Sequence, residues 1–292
     1  VFKNAILYRL ASDTQSITHN VLEPFQFVPC GPSQEKSVGW VPPREPNGSL
    51  SETVDGQIII KLMTETKAIP ADVVNRKAAE RATQIEATTG RKPGKKETRY
   101  LKDDIRLELL PHAFPKQAAT LIWIDMASRL VLVDASGQAK ADDAVSALVA
   151  SIPGIALQWI NSQTSPTAAM AGWLIDQEPP AGFSVDRECE LKASDESKAV
   201  VKYGKHRLDI SEVPDHIKAG KMPTKLAMTW ADRVSFVLTD GLTLKKLAFL
   251  DVTFDDYGKD DGFDADVAIA TGELSKLIPD LLDALGGEVA AA

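Results

Sequence analysis

Apolar positions along this chain repeat with two periods, and the alternation of those periods predicts the order of elements. A period of two, or an unbroken apolar run, predicts strands at residues 2–10, 56–63, 155–160, 225–230, 234–238 and 243–249, with two or three more across 182–208. A period near 3.6 predicts helices at residues 14–25, with Ile17, Val21 and Phe25 in phase, and at 140–151, with Ala144, Leu148 and Ile152 in phase. Further helices are expected at 167–175, where Trp173 faces inward, at 213–220, and at 274–285, where Gly286-Gly287 ends the run. Residues 265–270 read as one more strand ahead of that last helix. The clearest β-hairpin spans 120–134, where two apolar runs flank Ala127-Ser128-Arg129 and are long enough to be buried on both faces. The Pro- and Gly-rich residues 29–43 are expected to form extended loop.

Residues 70–114 stand apart. Pro70 suits a helix start, and Val74, Ala78, Ala82 and Ile85 then recur at helical spacing. Gly90, Pro93 and Gly94 break that helix, and Leu101, Ile105 and Leu109 define a second one that ends near Pro111. The result is an antiparallel helical hairpin about 25–30 Å long at 1.5 Å per residue. It interrupts an α+β unit over residues 1–150, from which it projects, and a second α+β unit starts near Gly154.

Charge changes the picture at this hairpin. The 292-residue chain has a net charge of −8, with ordinary hydrophobic (44%) and charged (25%) fractions that suit a folded, water-facing protein. Yet Arg91, Lys92, Lys95, Lys96, Arg99 and Lys102 fall within twelve residues against Glu97 alone. Lys77 and Arg81 lie on the preceding helix, and Lys202, Lys205, Arg207, Lys218, Lys221 and Lys225 form a second cluster. Such runs are often only solvated faces, but cations segregated in an acidic protein also suit phosphate contacts. Read as runs of cations without interleaved aromatics, both clusters favour backbone contacts over stacking on single strands.

Other chemistry is sparse. No phosphate loop, dinucleotide fingerprint, His-Glu-x-x-His or Gly-x-Ser-x-Gly occurs, so no catalytic residue and no cofactor is assigned. The four histidines and the cysteines Cys30 and Cys189 have no metal-ligand spacing, and unpaired cysteines suit a reducing cytoplasm. Seven aspartates crowd residues 251–266. Asp264 and Asp266, sharing one face of the predicted strand, would be the pair for a metal-dependent phosphoryl-transfer site, while the plainer reading is a solvated acidic loop.

Short motifs in one order cover the whole chain: Phe2-Lys3-Asn4 with Tyr8-Arg9-Leu10, Pro29-Cys30-Gly31, Gly39-Trp40-Val41-Pro42-Pro43, and Leu109-Leu110-Pro111 with Ala113-Phe114. They continue with Trp123-Ile124-Asp125, His216-Ile217 with Ala219-Gly220-Lys221, Thr224-Lys225-Leu226-Ala227, and Phe263-Asp264-Ala265-Asp266 with Thr271-Gly272-Glu273-Leu274. Together they resemble the recombination-associated protein family RdgC. The resemblance implies a horseshoe-shaped α+β subunit with mixed or antiparallel sheets and a projecting helical hairpin. It divides the chain into a central region (1–69 and 115–150), a tip (70–114) and a base (151–292). It implies a homodimer closed into a ring that encircles double-stranded DNA without sequence preference, in the cytoplasm and on the nucleoid of a bacterium. It also implies inhibition of RecA-dependent recombination by occupation of the duplex.

On this reading the DNA contacts are Lys77, Arg81, Arg91, Lys92, Lys95, Lys96, Arg99, Lys102, Lys218, Lys221 and Lys225. Phe114, Leu110, Lys205 and His206 make the dimer interface, although His206 departs from a glutamine in a relative. The protein is then no enzyme and needs no membrane, metal or cofactor. The alternatives are a metal-dependent enzyme using Asp264 and Asp266, or an interaction module acting directly on the recombinase.

Overall fold

Strand β1 (Asn4–Leu10) shows why an unbroken apolar run becomes a central strand. Ala5, Ile6, Leu7, Tyr8 and Leu10 are all buried, and since successive side chains point to opposite faces, both faces of β1 are covered. In the computed structural model, which describes residues 2–11, 16–44, 48–250 and 262–289, the chain divides into two compact units. The larger comprises Val1–Leu22, Pro42–Lys61 and Thr120–Ala292, and the smaller Glu23–Val41 and Leu62–Ala119.

In the larger unit β1 pairs antiparallel with β12 (Leu244–Phe249) at Asn4↔Lys245, then with β6 (Leu130–Val133) at Tyr8↔Val131 and with β7 (Leu157–Trp159) at Tyr8↔Trp159. From β12 the antiparallel ladder continues through β11 (Val234–Thr239), β10 (Lys221–Trp230), β8 (Phe183–Ala193) and the edge strand β9 (Val200–Gly204). The core is built from Leu191, Leu226, Met228, Trp230, Phe236 and Leu238 of these strands, with Met170 and Leu174 of α5 (Pro166–Asp176) and the apolar stripe of α7 (Phe263–Ala284). Trp173 packs partly buried against it. The predicted hairpin forms between the ends of β5 (Pro115–Asp125) and β6, and Asp125 fixes its turn by accepting from the Ala127 and Ser128 amides. α4 (Gln138–Ser151) buries Ala141, Ala144 and Leu148 as its period requires.

Two expectations fail here. Residues 265–270 are not a strand but the first turns of α7. Val267, Ala270, Thr271, Leu274, Leu277, Ile278, Leu281 and Leu282 are buried along one 22-residue helix, so the helical period begins earlier than the short Val-Ala-Ile-Ala window suggests. The helix expected over 14–25 shrinks to α1 (His19–Leu22) and a 3-10 turn at Glu23–Phe25, with residues 12–15 outside the described residues. Pro24 has no amide proton to continue the ladder, and Phe25 is 42% exposed.

Two strands come from stretches not read as strands. β3 (Ser51–Val54) pairs with the start of β4 (Gln57–Lys67) across Asp55-Gly56, both at positive φ (49° and 79°), the two-residue turn that matches strand twist. In the smaller unit, β2 (Lys36–Val41) lies in the stretch expected to be loop. Gly39 makes it possible: a Cβ there would sit 2.4 Å from the Phe27 Cα, where the Phe27 amide bonds the Trp40 carbonyl at 2.9 Å. The smaller unit also holds α2 (Ala71–Thr89) and α3 (Lys95–Leu109). Among the described residues no helix is long and apolar enough to cross a membrane.

Candidate nucleic-acid interface

The helical hairpin follows from a small set of residues. Pro70 caps α2, and Val74 and Ala78 pack on Ile105 of α3, with Ile69 and Leu109 partly buried around them. That apolar contact is small, and the Arg81–Glu108 pair, at 2.6–2.7 Å to both carboxylate oxygens, adds a polar clamp between the helices. Gly90, at φ 75°, ends α2 by donating its amide to the Glu86 carbonyl. Glu97 organises the connector: Arg91 donates to both its oxygens (2.6 and 2.8 Å) and the Gly94 amide to one (2.8 Å). The Arg91 hydrogen bond, then the Gly94 amide, hold the Glu97 carboxyl down at about 2.

With the connector fixed, the register of α3 sets where its cations point. Lys95, Arg99, Lys102 and Arg106 fall at i, i+4, i+7 and i+11, within about 60° of one another around the axis and over about 16 Å of helix. Ile105, Leu101 and Leu109 occupy the packed side, while Glu97, Asp104 and Glu108 fall beyond it. Lys95 and Arg99 are exposed and Lys102 is half-buried, and none of the three has a carboxylate partner among the described residues. Arg106 is held by Asp103 at 2.8 Å. Lys92 lies 3.9 Å from Glu86, and Lys77, half-buried on α2, has no carboxylate partner among the described residues. Arg81 and Arg91 are committed to structural pairs. Residues 70–114 carry ten Lys or Arg against seven Asp or Glu, a net +3 in a chain of net −8.

An aromatic also stands in this run. Tyr100 is 56% exposed, with the Lys96 ammonium 5.9 Å from its ring centroid. A reading by cation runs passes over it, although its place between Arg99 and Lys102 is plain in the sequence.

The second set of predicted cations, all in the larger unit, is arranged differently. Lys225 and Lys202 bind one carboxylate, Glu190, at 3.0 and 3.1 Å, and the Thr224 hydroxyl donates to it at 2.9 Å. Burial pushes the Glu190 carboxyl up, but the hydrogen bonds from Lys225, Lys202 and Thr224 outweigh it and hold it at about 2. Lys221 sits 3.2 Å from His216 Nδ1, and Arg207 pairs with Asp209. Lys218, at the end of α6 (Glu212–Lys218), is exposed.

Of the residues expected at a dimer contact, Phe114 is 91% exposed, while Leu110 is 1% exposed and its side chain is spent inside the subunit. Phe114 stands out because the 3-10 turn Leu110–His112 and Pro115 at the head of β5 leave it on a short stiff link. Lys205, at φ 55°, and His206 follow β9 at the sheet edge, both exposed, and the His206 amide bonds the Arg187 carbonyl at 3.0 Å.

The expected carboxylate pair does not form. Asp264 and Asp266 lie in the first turn of α7, about 200° apart around the helix rather than on one strand face. Asp264 pairs with Arg44, whose guanidinium lies 5.0 Å over the Phe263 ring. Among the described residues no group of three or more His, Cys, Asp or Glu is placed to hold a metal ion. The aspartates at 251–261 lie outside the described residues.

A family model described as "RdgC: Putative exonuclease, RdgC" matches residues 1–288. The chain is 43% identical over 298 aligned positions to the recombination-associated protein RdgC of Herminiimonas arsenicoxydans, covering 99% of each chain. It is 42% identical to the protein of that name from Bordetella pertussis, covering 98% of each, and 42% identical to that of Dechloromonas aromatica, covering 100% of this chain and 99% of the relative.

Proposed function

The chain belongs to the RdgC family, and from that premise we propose that it binds double-stranded DNA without sequence preference as a ring-shaped homodimer and restrains RecA-dependent recombination by occupying the duplex. One observation carries the reading: Lys95, Arg99 and Lys102 line one face of α3 with no carboxylate partner among the described residues, in a protein whose net charge is −8. Cations spaced along a helix can meet successive phosphates but carry no base code, so affinity is electrostatic and sequence-blind. The acidic remainder of the surface repels DNA, and an enclosed basic hole would resolve that conflict by topology. Phe114, with Lys205 and His206, supplies the contacts that close the ring. The protein then acts on the nucleoid in the cytoplasm.

The ring is tested on a linear duplex and a covalently closed circle of the same sequence, each loaded with protein and then challenged with high salt. Retention on the circle with loss from the linear form supports encirclement, and equal loss from both contradicts it. The name of the family model favours a second reading, an exonuclease. Asp264 and Asp266 do not support it, since the helix parts them. Release of nucleotides from an end-labelled duplex with Mg²⁺, absent in a matched mock preparation, would establish that activity.

A further inference from the structure

On the side of α3 turned away from the Lys95–Arg99–Lys102 stripe the hairpin has a cleft of about 250 Å³, lined by Ile85, Pro93, Glu97, Tyr100, Leu101 and Asp104. It is smaller than the ~300–1,000 Å³ of sites for drug-sized ligands, so it suits a single small ring. Four of its six lining residues offer apolar or aromatic surface. Of the two carboxylates, Glu97 is occupied by Arg91 and the Gly94 amide. The Asp104 carboxylate accepts no hydrogen bond among the described residues and is exposed, and it acts on Arg81 by charge alone. Lys96 lies over the Tyr100 ring without lining the cleft, and Lys95 and Arg99 are exposed next to it in the chain.

We infer that this cleft takes one unpaired nucleobase of a DNA strand, stacked on Tyr100, while the phosphates of that strand lie on Lys96, over the Tyr100 ring, and on Arg99 further round the helix. An exposed tyrosine with a lysine over its ring is the combination that single strands use, an aromatic face for the base and charge for the backbone. Asp104 adds a preference. A carboxylate accepts from an exocyclic amino group, as from cytosine N4, whereas thymine flanks its single N–H with two carbonyl oxygens that a carboxylate repels. Paired bases inside a duplex cannot enter. The inference rests on the DNA-binding reading and adds a site for unpaired nucleotides, such as those at a gap or a frayed end.

The test measures binding of the full-length protein and its Tyr100→Ala and Tyr100→Phe variants to oligo-dC, oligo-dT and an intact duplex. Tyr100→Ala is expected to weaken oligo-dC binding by about 5- to 100-fold and to leave the duplex within about twofold. Tyr100→Phe keeps the stacking face and is expected to bind as wild type. Oligo-dC should bind more tightly than oligo-dT, and Asp104→Asn should narrow that gap. A 2-aminopurine placed as a single unpaired base should be quenched by wild type and not by Tyr100→Ala, a readout independent of affinity. Equal weakening on all three DNAs, no weakening on any, or no quenching by wild type overturns the cleft. A wild-type protein that binds none of the DNAs overturns the DNA-binding reading with it.

Discussion

The hairpin and the sheet around Glu190 carry the same residue types and put them to different use. On α3, Lys95, Arg99 and Lys102 have no carboxylate partner among the described residues. Next to β10, Lys202 and Lys225 converge on Glu190, and their charge is spent on holding β8, β9 and β10 together. A count of lysines therefore says little about the field a surface presents. What decides it is whether a carboxylate stands within reach, and on a helix that depends on angular position as much as on spacing.

The largest expected effect comes from breaking the open side of this comparison. Lys95→Glu, Arg99→Glu and Lys102→Glu together should weaken duplex binding by on the order of 10²–10³-fold at 0.1 M salt, taking three lost contacts at about −0.9 each in log–log slope relative to 1 M. Filter binding or anisotropy reads this, and far-UV circular dichroism should be unchanged because these positions lie off the packed face.

Breaking the neutralised side should instead affect folding. Glu190→Gln leaves Lys202 and Lys225 without their acceptor and should lower unfolding free energy by about 1–3 kcal/mol in a denaturant titration, with no loss of DNA affinity. The pH dependence has a definite sign. The Glu190 carboxyl is held at about 2 in the folded state, below its ordinary 4.5, so its contribution is present above pH 4.5 and is lost as pH falls toward 2. Acid titration of wild type should show that loss, and Glu190→Gln should lack it.

Phe114→Ala sharpens a different contrast, between exposure and use. A side chain 91% exposed contributes little to its own subunit, so stability should stay within about 0.5 kcal/mol, while sedimentation should show weaker self-association and the closed circle should release protein more readily. The smallest effect is expected for Glu97→Gln. Amide exchange should quicken at Gly94 and Thr98 as the connector loosens, and DNA affinity should rise slightly because Arg91 loses its carboxylate partner.

The hairpin was legible because its period is long and its breaks are strong: Val74, Ala78 and Ile105 are the buried pins, and Gly90 and Gly94 bracket the connector. The pairs 120–125 with 130–133 and 225–230 with 234–239 were legible for the same reason, continuous apolar runs around short turns. β2 was not, since its formation depends on a tertiary event, the approach of Phe27 to Gly39, that local pattern cannot encode. The start of α7 was misread because a six-residue window of small and β-branched residues fits either period, and only the burial of Leu274 through Leu282 extends the helix backward. At the site, residue types located the cations, but pairing of Arg81, Arg91 and Lys225 emerged only from geometry. Tyr100 needed no structure to be found, only a search for aromatics among the cations.

The most direct measurement of the central claim is the salt dependence of duplex binding for wild type, the Lys95→Glu/Arg99→Glu/Lys102→Glu variant, and a Lys202→Gln/Lys225→Gln control. The account predicts that the α3 variant flattens the log–log slope by about 2.7, while the control keeps the wild-type slope. Equal slopes for wild type and the α3 variant, or flattening by the control instead, would contradict the assignment of DNA binding to the hairpin.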